Sequence, residues 1–208
     1  MHGPAAVVEL GAPELRRIVP DLLASPEPVV VVDEAVERRA AVTLVLSPDP
    51  ERNSMTEALL VLRAEVEGDP WSGHVALPGG RAEQSDSDLL HTAQRELEEE
   101  TGISIPRSDF LGRLDDLHPR SAHLPSIAVT PYVAWMEERR PLTQNFELAG
   151  HAWIPVWELA SPARRSSLVR ELPVPKVFET IEISGYTIWG MTLGIIDNFL
   201  ERIARERP

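Results

Sequence analysis

One segment constrains this chain more than any other. Residues 79–103 open on a Gly-Gly turn and end in Arg95-Glu96-Leu97-Glu98-Glu99-Glu100-Thr101-Gly102-Ile103. The spacing predicts a helix over residues 87–101, with Asp86 or Ser87 as its N-cap and Gly102 just past its end. At about 100° per residue, Glu96, Glu99 and Glu100 share an arc of about 100°, while Glu98 points to the other side. Leu90, Ala93 and Leu97 form the adjoining apolar stripe, which is expected to bury the helix against a sheet and to leave the three carboxylates bordering a cleft.

Local physics opposes this arrangement. Like charges at such spacings cost about 0.2–0.5 kcal/mol per pair, and the C-terminal end of a helix disfavours negative charge. A solvated, Glu-rich helix face would account for the carboxylates taken alone. A divalent cation accounts for more, because clustered oxygen ligands are what Mg²⁺ or Mn²⁺ requires, with substrate phosphates completing the shell.

Around this segment, residues 13–24 read as an amphipathic helix and residues 40–46, 58–63 and 74–77 as strands. Further strands are expected at 110–117, 127–135, 147–155 and 182–189, a helical turn at 157–160, and a last helix over 192–205. Mixed strands and helices in one chain of 208 residues point to an α/β or α+β domain. Residues 1–38 are expected to be an N-terminal helical extension and residues 39–208 the main domain. The apolar stripe of the last helix fits the core and a homodimer seam equally well.

No cysteine is present, which excludes thiol nucleophiles, thiolate metal sites and disulfides. The start of the sequence lacks the pattern of a signal peptide, and no apolar run reaches the roughly 20 residues of a membrane span. The expectation is a cytoplasmic protein without membrane contact. A net charge of −13 argues against non-specific nucleic-acid binding. It does not exclude an anionic small molecule, because a bound cation inverts the local field. The histidines show no metal-ligand spacing, and the tryptophans read mostly as core, with Trp71, on the loop before the Gly-Gly turn, the candidate to stack on a base.

The segment resembles the box of the Nudix hydrolases: Gly, five residues, Glu, seven residues, Arg-Glu, an apolar residue, any residue, Glu-Glu, any residue, Gly and an apolar residue. Arg95 to Ile103 reproduce its second half. Counted from Gly80, the first acidic position is filled by Asp86, and eight residues instead of seven separate it from Arg95. That extra residue resembles the coenzyme A pyrophosphatase branch. So do Leu59-Leu60-Val61-Leu62-Arg63, Gly73-His74-Val75-Ala76-Leu77-Pro78-Gly79-Gly80 and Trp189-Gly190-Met191-Thr192. The branch differs after the arginine, where it carries Ser and Leu-Arg-x-His. Here Arg63 is followed by the acidic run Ala64-Glu65-Val66-Glu67-Gly68-Asp69.

The resemblance implies a Nudix fold, a mixed sheet sandwiched between helices, and hydrolysis of the P–O–P bond of a nucleoside diphosphate linked to another moiety. Coenzyme A or an acyl derivative is the leading substrate. Nucleotide sugars, ADP-ribose, dinucleotides and nucleoside triphosphates are the alternatives, with RNA 5′ ends disfavoured by the net charge. A ligand-sensing Nudix module without turnover is the rival of another class. Carried over residue by residue, Glu96, Glu99, Glu100 and the carbonyl of Gly80 would hold the metal. Arg63, Gly79 and Gly80 fall at substrate-binding positions. Arg95 is expected to pair with Glu83 or Asp86 as scaffold, and Glu147 to act as general base or as a further metal ligand.

Overall fold

A long strand, β1 (Arg38–Pro48), organises the molecule, because its alternation feeds two apolar layers. Leu44 and Leu46 enter one buried cluster, and Val45 enters another on the opposite face. The structure is a computed structural model and describes residues 10–33, 36, 38–52, 54–68, 72–119, 126–170 and 175–205. Trp71 and His123 lie outside the described residues.

The main sheet also contains β2 (Thr56–Arg63), β3 (Val75–Ala76), β4 (Gly79–Arg81), β5 (Phe110–Arg113), β6 (Ile127–Trp135) and β7 (Leu148–Pro155). Its path runs β3-β2-β1-β6-β5, with β4 joined to β1 and β7 to β2. The β1–β6 pair is parallel and the others antiparallel. Residues Leu46–Pro48 of β1 pair with β2, whereas Ala40–Val42 pair with β4. The sheet therefore splits between β2 and β4. At that gap the amide of Thr43 donates to the Pro78 carbonyl at 2.8 Å.

Helix α2 (Leu89–Thr101) covers one face, where Leu97 packs with Val45, Leu59, Ile103 and Ala134. The other face is covered by α1 (Ala12–Ala24), α4 (Gly190–Ala204) and a second sheet of β8 (Arg165–Arg170), β9 (Lys176–Ile183) and β10 (Tyr186–Trp189), in the order β10-β9-β8. A short helix, α3 (Val156–Leu159), follows β7. The fold is thus α+β, a mixed sheet between helical layers. Leu15, Val19 and Leu22 of α1 are buried in the larger cluster beside Ile196 and Phe199 of α4. Each such side chain contributes about 1.5–3 kcal/mol on burial. Arg202 of α4 is buried as well, donating to the Pro26 carbonyl at 2.8 Å and pairing with Asp115 at 2.7 Å.

Several elements differ from the sequence-based expectation. Helix α2 starts at Leu89, and its N-cap is Asp88, whose carboxylate accepts from the His91 amide at 2.8 Å. Asp86 is not the cap, because Arg95 engages its carboxylate. The Gly79-Gly80 turn is part of strand β4. Residues 182–189 are not one strand: Ser184 and Gly185, at φ 52° and 82°, turn the chain between β9 and β10. The strand from Phe110 ends at Arg113, and Asp116 turns inward to accept from Thr130 Oγ1 at 2.7 Å and from the Val31 amide at 3.0 Å. Strand β8 has no counterpart in the sequence reading; nearly every residue in it is exposed, so it carries no apolar alternation. No described helix is long and apolar enough to cross a membrane.

Candidate active site

The site begins where β4 meets α2. Gly79 sits at φ 152° against β1, and a Cβ there would lie 2.3 Å from the Ala41 carbonyl oxygen. A Cβ on Gly80 would lie 2.5 Å from the Glu96 carboxyl carbon. Only glycine lets the backbone approach the strand on one side and the acidic helix on the other. The approach is used directly: the Gly79 amide donates to Glu100 Oε2 at 3.0 Å.

Arg95 sits at the centre of the polar contacts. Its Nε and Nη2 donate to the two oxygens of Asp86 at 3.1 and 3.0 Å, a bidentate pair. Nη2 also donates to the Arg81 carbonyl at 3.0 Å, and Nη1 to Glu96 Oε1 at 2.9 Å and Glu99 Oε2 at 3.0 Å. Asp86 further accepts from the Glu83 amide and from Thr92 Oγ1, each at 2.9 Å. Arg95 foremost, with these donors, holds the Asp86 carboxyl far below the usual carboxylate range. The Glu83 side chain stays exposed and accepts from Ser85 Oγ at 3.3 Å, so the partner of Arg95 is Asp86 and not Glu83. Thr92, one helical turn before Arg95, is a supporting residue that the sequence reading missed; its signal is the i, i+3 spacing to Arg95.

The three helix carboxylates occupy different environments. Glu99 is half exposed, the Glu96 side chain is 17% exposed, and Glu100 is only 3% exposed. Burial is the main cause that raises the Glu100 carboxyl to about 7; Glu96 and Glu147 add to it, while the Gly79 amide and Arg63 oppose it. Burial likewise raises Glu96, against the pull of Arg95 and with the help of Glu99 and Glu147. Arg63, at the end of β2, thus lies within electrostatic reach of Glu100, and Glu147 within reach of both Glu96 and Glu100.

Backbone bonds explain why Glu147 is there. The last carbonyls of α2 lack helical partners. The Asn145 amide donates to the Glu100 carbonyl at 3.1 Å and the Thr143 amide to the Thr101 carbonyl at 2.8 Å. The same loop then meets β2, where the Ala64 amide donates to the Glu147 carbonyl at 2.7 Å. Gly102, at φ 71°, ends the helix and donates to the Glu98 carbonyl. Five residues from four separate stretches of chain, Arg63, Gly79, Glu96, Glu100 and Glu147, are gathered at the split in the sheet.

Among the described residues, no three His, Asp or Glu side chains converge on a common point as a closed metal cage. Arg95 holds Glu96 and Glu99 together on Nη1, while Glu100 is turned to Gly79. The donor chemistry nonetheless fits a hard cation: every donor is an oxygen, and two carboxylates are partly stripped of water beside one another.

The chain is similar to known proteins in sequence and in fold. A family model for the NUDIX domain matches residues 37–172. An uncharacterized Nudix hydrolase, NudL, of Yersinia pestis (strain Pestoides F) is 33% identical over 174 residues, covering 82% of each chain. NudL of Yersinia pseudotuberculosis serotype O:1b matches to the same extent. Among solved structures, a MutT/nudix family protein from Enterococcus faecalis superposes with a TM-score of 0.61 at 17% identity, over 93% of this chain and 74% of that one, a likeness of fold.

Proposed function

The chain belongs to the Nudix hydrolase family, and from that premise we propose that it splits the P–O–P bond of a nucleoside diphosphate linked to another moiety, with coenzyme A or an acyl derivative as the leading substrate. The observation that carries this reading is the Glu96–Glu100 pair. Both carboxylates are withdrawn from water beside the Gly79-Gly80 backbone and within reach of Glu147. A sensor module gains nothing from such a desolvated acidic cluster, whereas a metal-dependent hydrolase needs one.

Nudix enzymes generally use divalent metal ions. Glu96, Glu99, Glu100 and the Gly80 carbonyl would hold Mg²⁺ or Mn²⁺, which supplies charge neutralisation of the diphosphate and a water of lowered pKa. The chain's own residues do the rest. Arg63 offers a guanidinium at the same end of the sheet, suited to a phosphate oxygen. The Gly79-Gly80 backbone leaves room for close approach of the substrate. Arg95 fixes Asp86 and the helix, so that Glu96 and Glu99 start from defined positions. Glu147, exposed on its loop, is assigned as the base that takes a proton from the attacking water as the new P–O bond forms and the bridging oxygen leaves.

A panel of coenzyme A, acyl-coenzyme A, ADP-ribose, nucleotide sugars, dinucleotides and nucleoside triphosphates, each with Mg²⁺ or Mn²⁺, tests the reading. Turnover of coenzyme A to 3′,5′-ADP and phosphopantetheine is the expected result, and chelation should reduce it to background. Absence of turnover across the panel would leave the sensor module standing instead.

A further inference from the structure

The second sheet carries a surface that the hydrolytic site does not use. Strands β8 and β9 pair in a register that sets Arg170 opposite Lys176 and Leu168 opposite Phe178. Strand β10 adds Trp189 opposite Thr180. Since side chains alternate between faces, Arg170, Lys176, Phe178 and Trp189 share one face of this sheet. Both cations are exposed. Arg170 lies over the Trp189 ring at 4.6 Å and Lys176 over the Phe178 ring at 5.1 Å. Trp189 in turn meets Phe178 and His74 edge-on, at 5.3 and 4.7 Å between centroids. Arg170 Nη2 donates to His74 Nε2 at 3.4 Å.

Two points single this surface out. Like charges directly opposite one another across a strand pair are destabilising. Among the described residues, moreover, neither Arg170 nor Lys176 is paired with a carboxylate, in a chain of net charge −13. Acidic residues are abundant in the chain, and none of the described ones pairs with these two cations. The face also adjoins the hydrolytic site. The His74 carbonyl accepts from the Arg63 amide at 3.0 Å, and the Val75 carbonyl accepts from Thr192 Oγ1, just after β10, at 3.0 Å.

We propose that Arg170 and Lys176, seated on Trp189 and Phe178, form a second anion subsite that takes a phosphate monoester carried on an aromatic nucleoside, beyond the scissile diphosphate. Two cations match the charge of about −1.5 to −2 of a phosphate monoester near neutral pH. The guanidinium stacked on Trp189 offers a flat face on which a base can lie. The subsite rests on the reading of the neighbouring site as a diphosphate hydrolase. It supplies positive charge that the acidic run after Arg63 does not.

The test is calorimetric titration of the full chain with adenosine 3′,5′-bisphosphate and with adenosine 5′-monophosphate. The bisphosphate is expected to bind about 10-fold more tightly, a difference that shrinks with added salt. In the double variant Arg170→Gln/Lys176→Gln the preference should fall to about twofold or less. Both side chains are exposed, so the fold should survive, and thermal melting checks that it does. Trp189→Phe keeps a ring and should retain most of the preference. Equal affinity for the two nucleotides, no binding of either, or an unchanged preference in the double variant each overturns the proposal. The hydrolase reading fails separately: an inactive substrate panel with an intact bisphosphate preference removes that reading alone, and turnover without the preference removes the subsite alone.

Discussion

The C-terminal half of α2 and the outer end of the β8–β9 pair are opposites in charge and alike in design. One sets Glu96, Glu99 and Glu100 on neighbouring turns of a helix; the other sets Arg170 against Lys176 across two strands. Each places like charges where local physics penalises them, by about 0.2–0.5 kcal/mol per helical pair and on the order of 0.2–1 kcal/mol for a cross-strand pair. They differ in access to water. Glu100 is nearly buried, Glu96 mostly so, and both carboxyls rise in response. Arg170 and Lys176 stay solvated and lie on aromatic rings. A desolvated cluster depends strongly on its ligand, while a solvated one depends on it weakly. Perturbing the first should therefore have large consequences and perturbing the second small, selective ones.

The largest effect is expected at the helix. Glu99→Gln and Glu100→Gln should each lower turnover roughly 10³-fold, about 4 kcal/mol of transition-state stabilisation, with little change in melting temperature. The amide at position 100 can still accept from Gly79, so the loss should lie in chemistry and not in folding. Steady-state kinetics on the substrate the panel identifies provide the measurement. Near-normal rates in both variants would remove the carboxylates from the reaction and erase the contrast with the cationic face.

Next comes the scaffold beneath the acidic cluster. Asp86→Asn removes the bidentate charge partner of Arg95, which keeps Glu96, Glu99 and the Arg81 carbonyl, so the cost should be about 1.5–3 kcal/mol. The pH dependence has a defined sign. The folded-state pKa of Asp86 is depressed below its unfolded value of about 3.9, so its stabilisation is fully present above that value and is lost as the pH falls toward the folded pKa. Urea denaturation of the wild type should show stability falling below about pH 4, and the variant should show a shallower fall. Parallel curves for the two proteins would assign the acid sensitivity to other groups. A smaller change follows from Gly80→Ala, whose methyl would press on the Glu96 carboxylate. It should cost about 1–3 kcal/mol of stability and displace Glu96, lowering activity without touching the cationic face.

The two regions also differ in how far the sequence reveals them. The acidic cluster is local: helical spacing alone gathers Glu96, Glu99 and Glu100, and the Gly79-Gly80 turn precedes them within one segment. Strands β1, β2 and β6 are legible for the same reason, as apolar runs bounded by loop residues. The helix start is harder to read, because Asp86, Ser87 and Asp88 are all acceptable caps; the claim of Arg95 on Asp86 removes the first, and the bond from the His91 amide to Asp88 selects the last. Nothing local brings Arg170 to Lys176 or Trp189 to His74. Their meeting depends on the register of β8 against β9 and on the turn at Ser184-Gly185, inside what reads as a single strand. Glu147 is intermediate. Its type and position suggest a role, but its arrival beside Glu96 depends on loop amides satisfying the end of α2.

The smallest expected effect sharpens the comparison most, because its two consequences have opposite signs. Lys176→Glu replaces a repulsive cross-strand pair with an attractive one facing Arg170. Stability should rise by about 0.2–1 kcal/mol, seen as a higher urea midpoint with an unchanged slope. The same change should abolish the preference for the bisphosphate over the monophosphate, because the subsite loses one cation and gains a carboxylate that competes for Arg170. A face serving only the fold would gain stability and lose nothing in binding. A face that holds two cations for a phosphate must give up its ligand when the local penalty is relieved. The reciprocal case is the helix, where each Glu→Gln change also removes one of several like charges and should lower turnover roughly 10³-fold. If Lys176→Glu stabilises the chain with the nucleotide preference intact, the likeness between the two regions ends at their charge patterns.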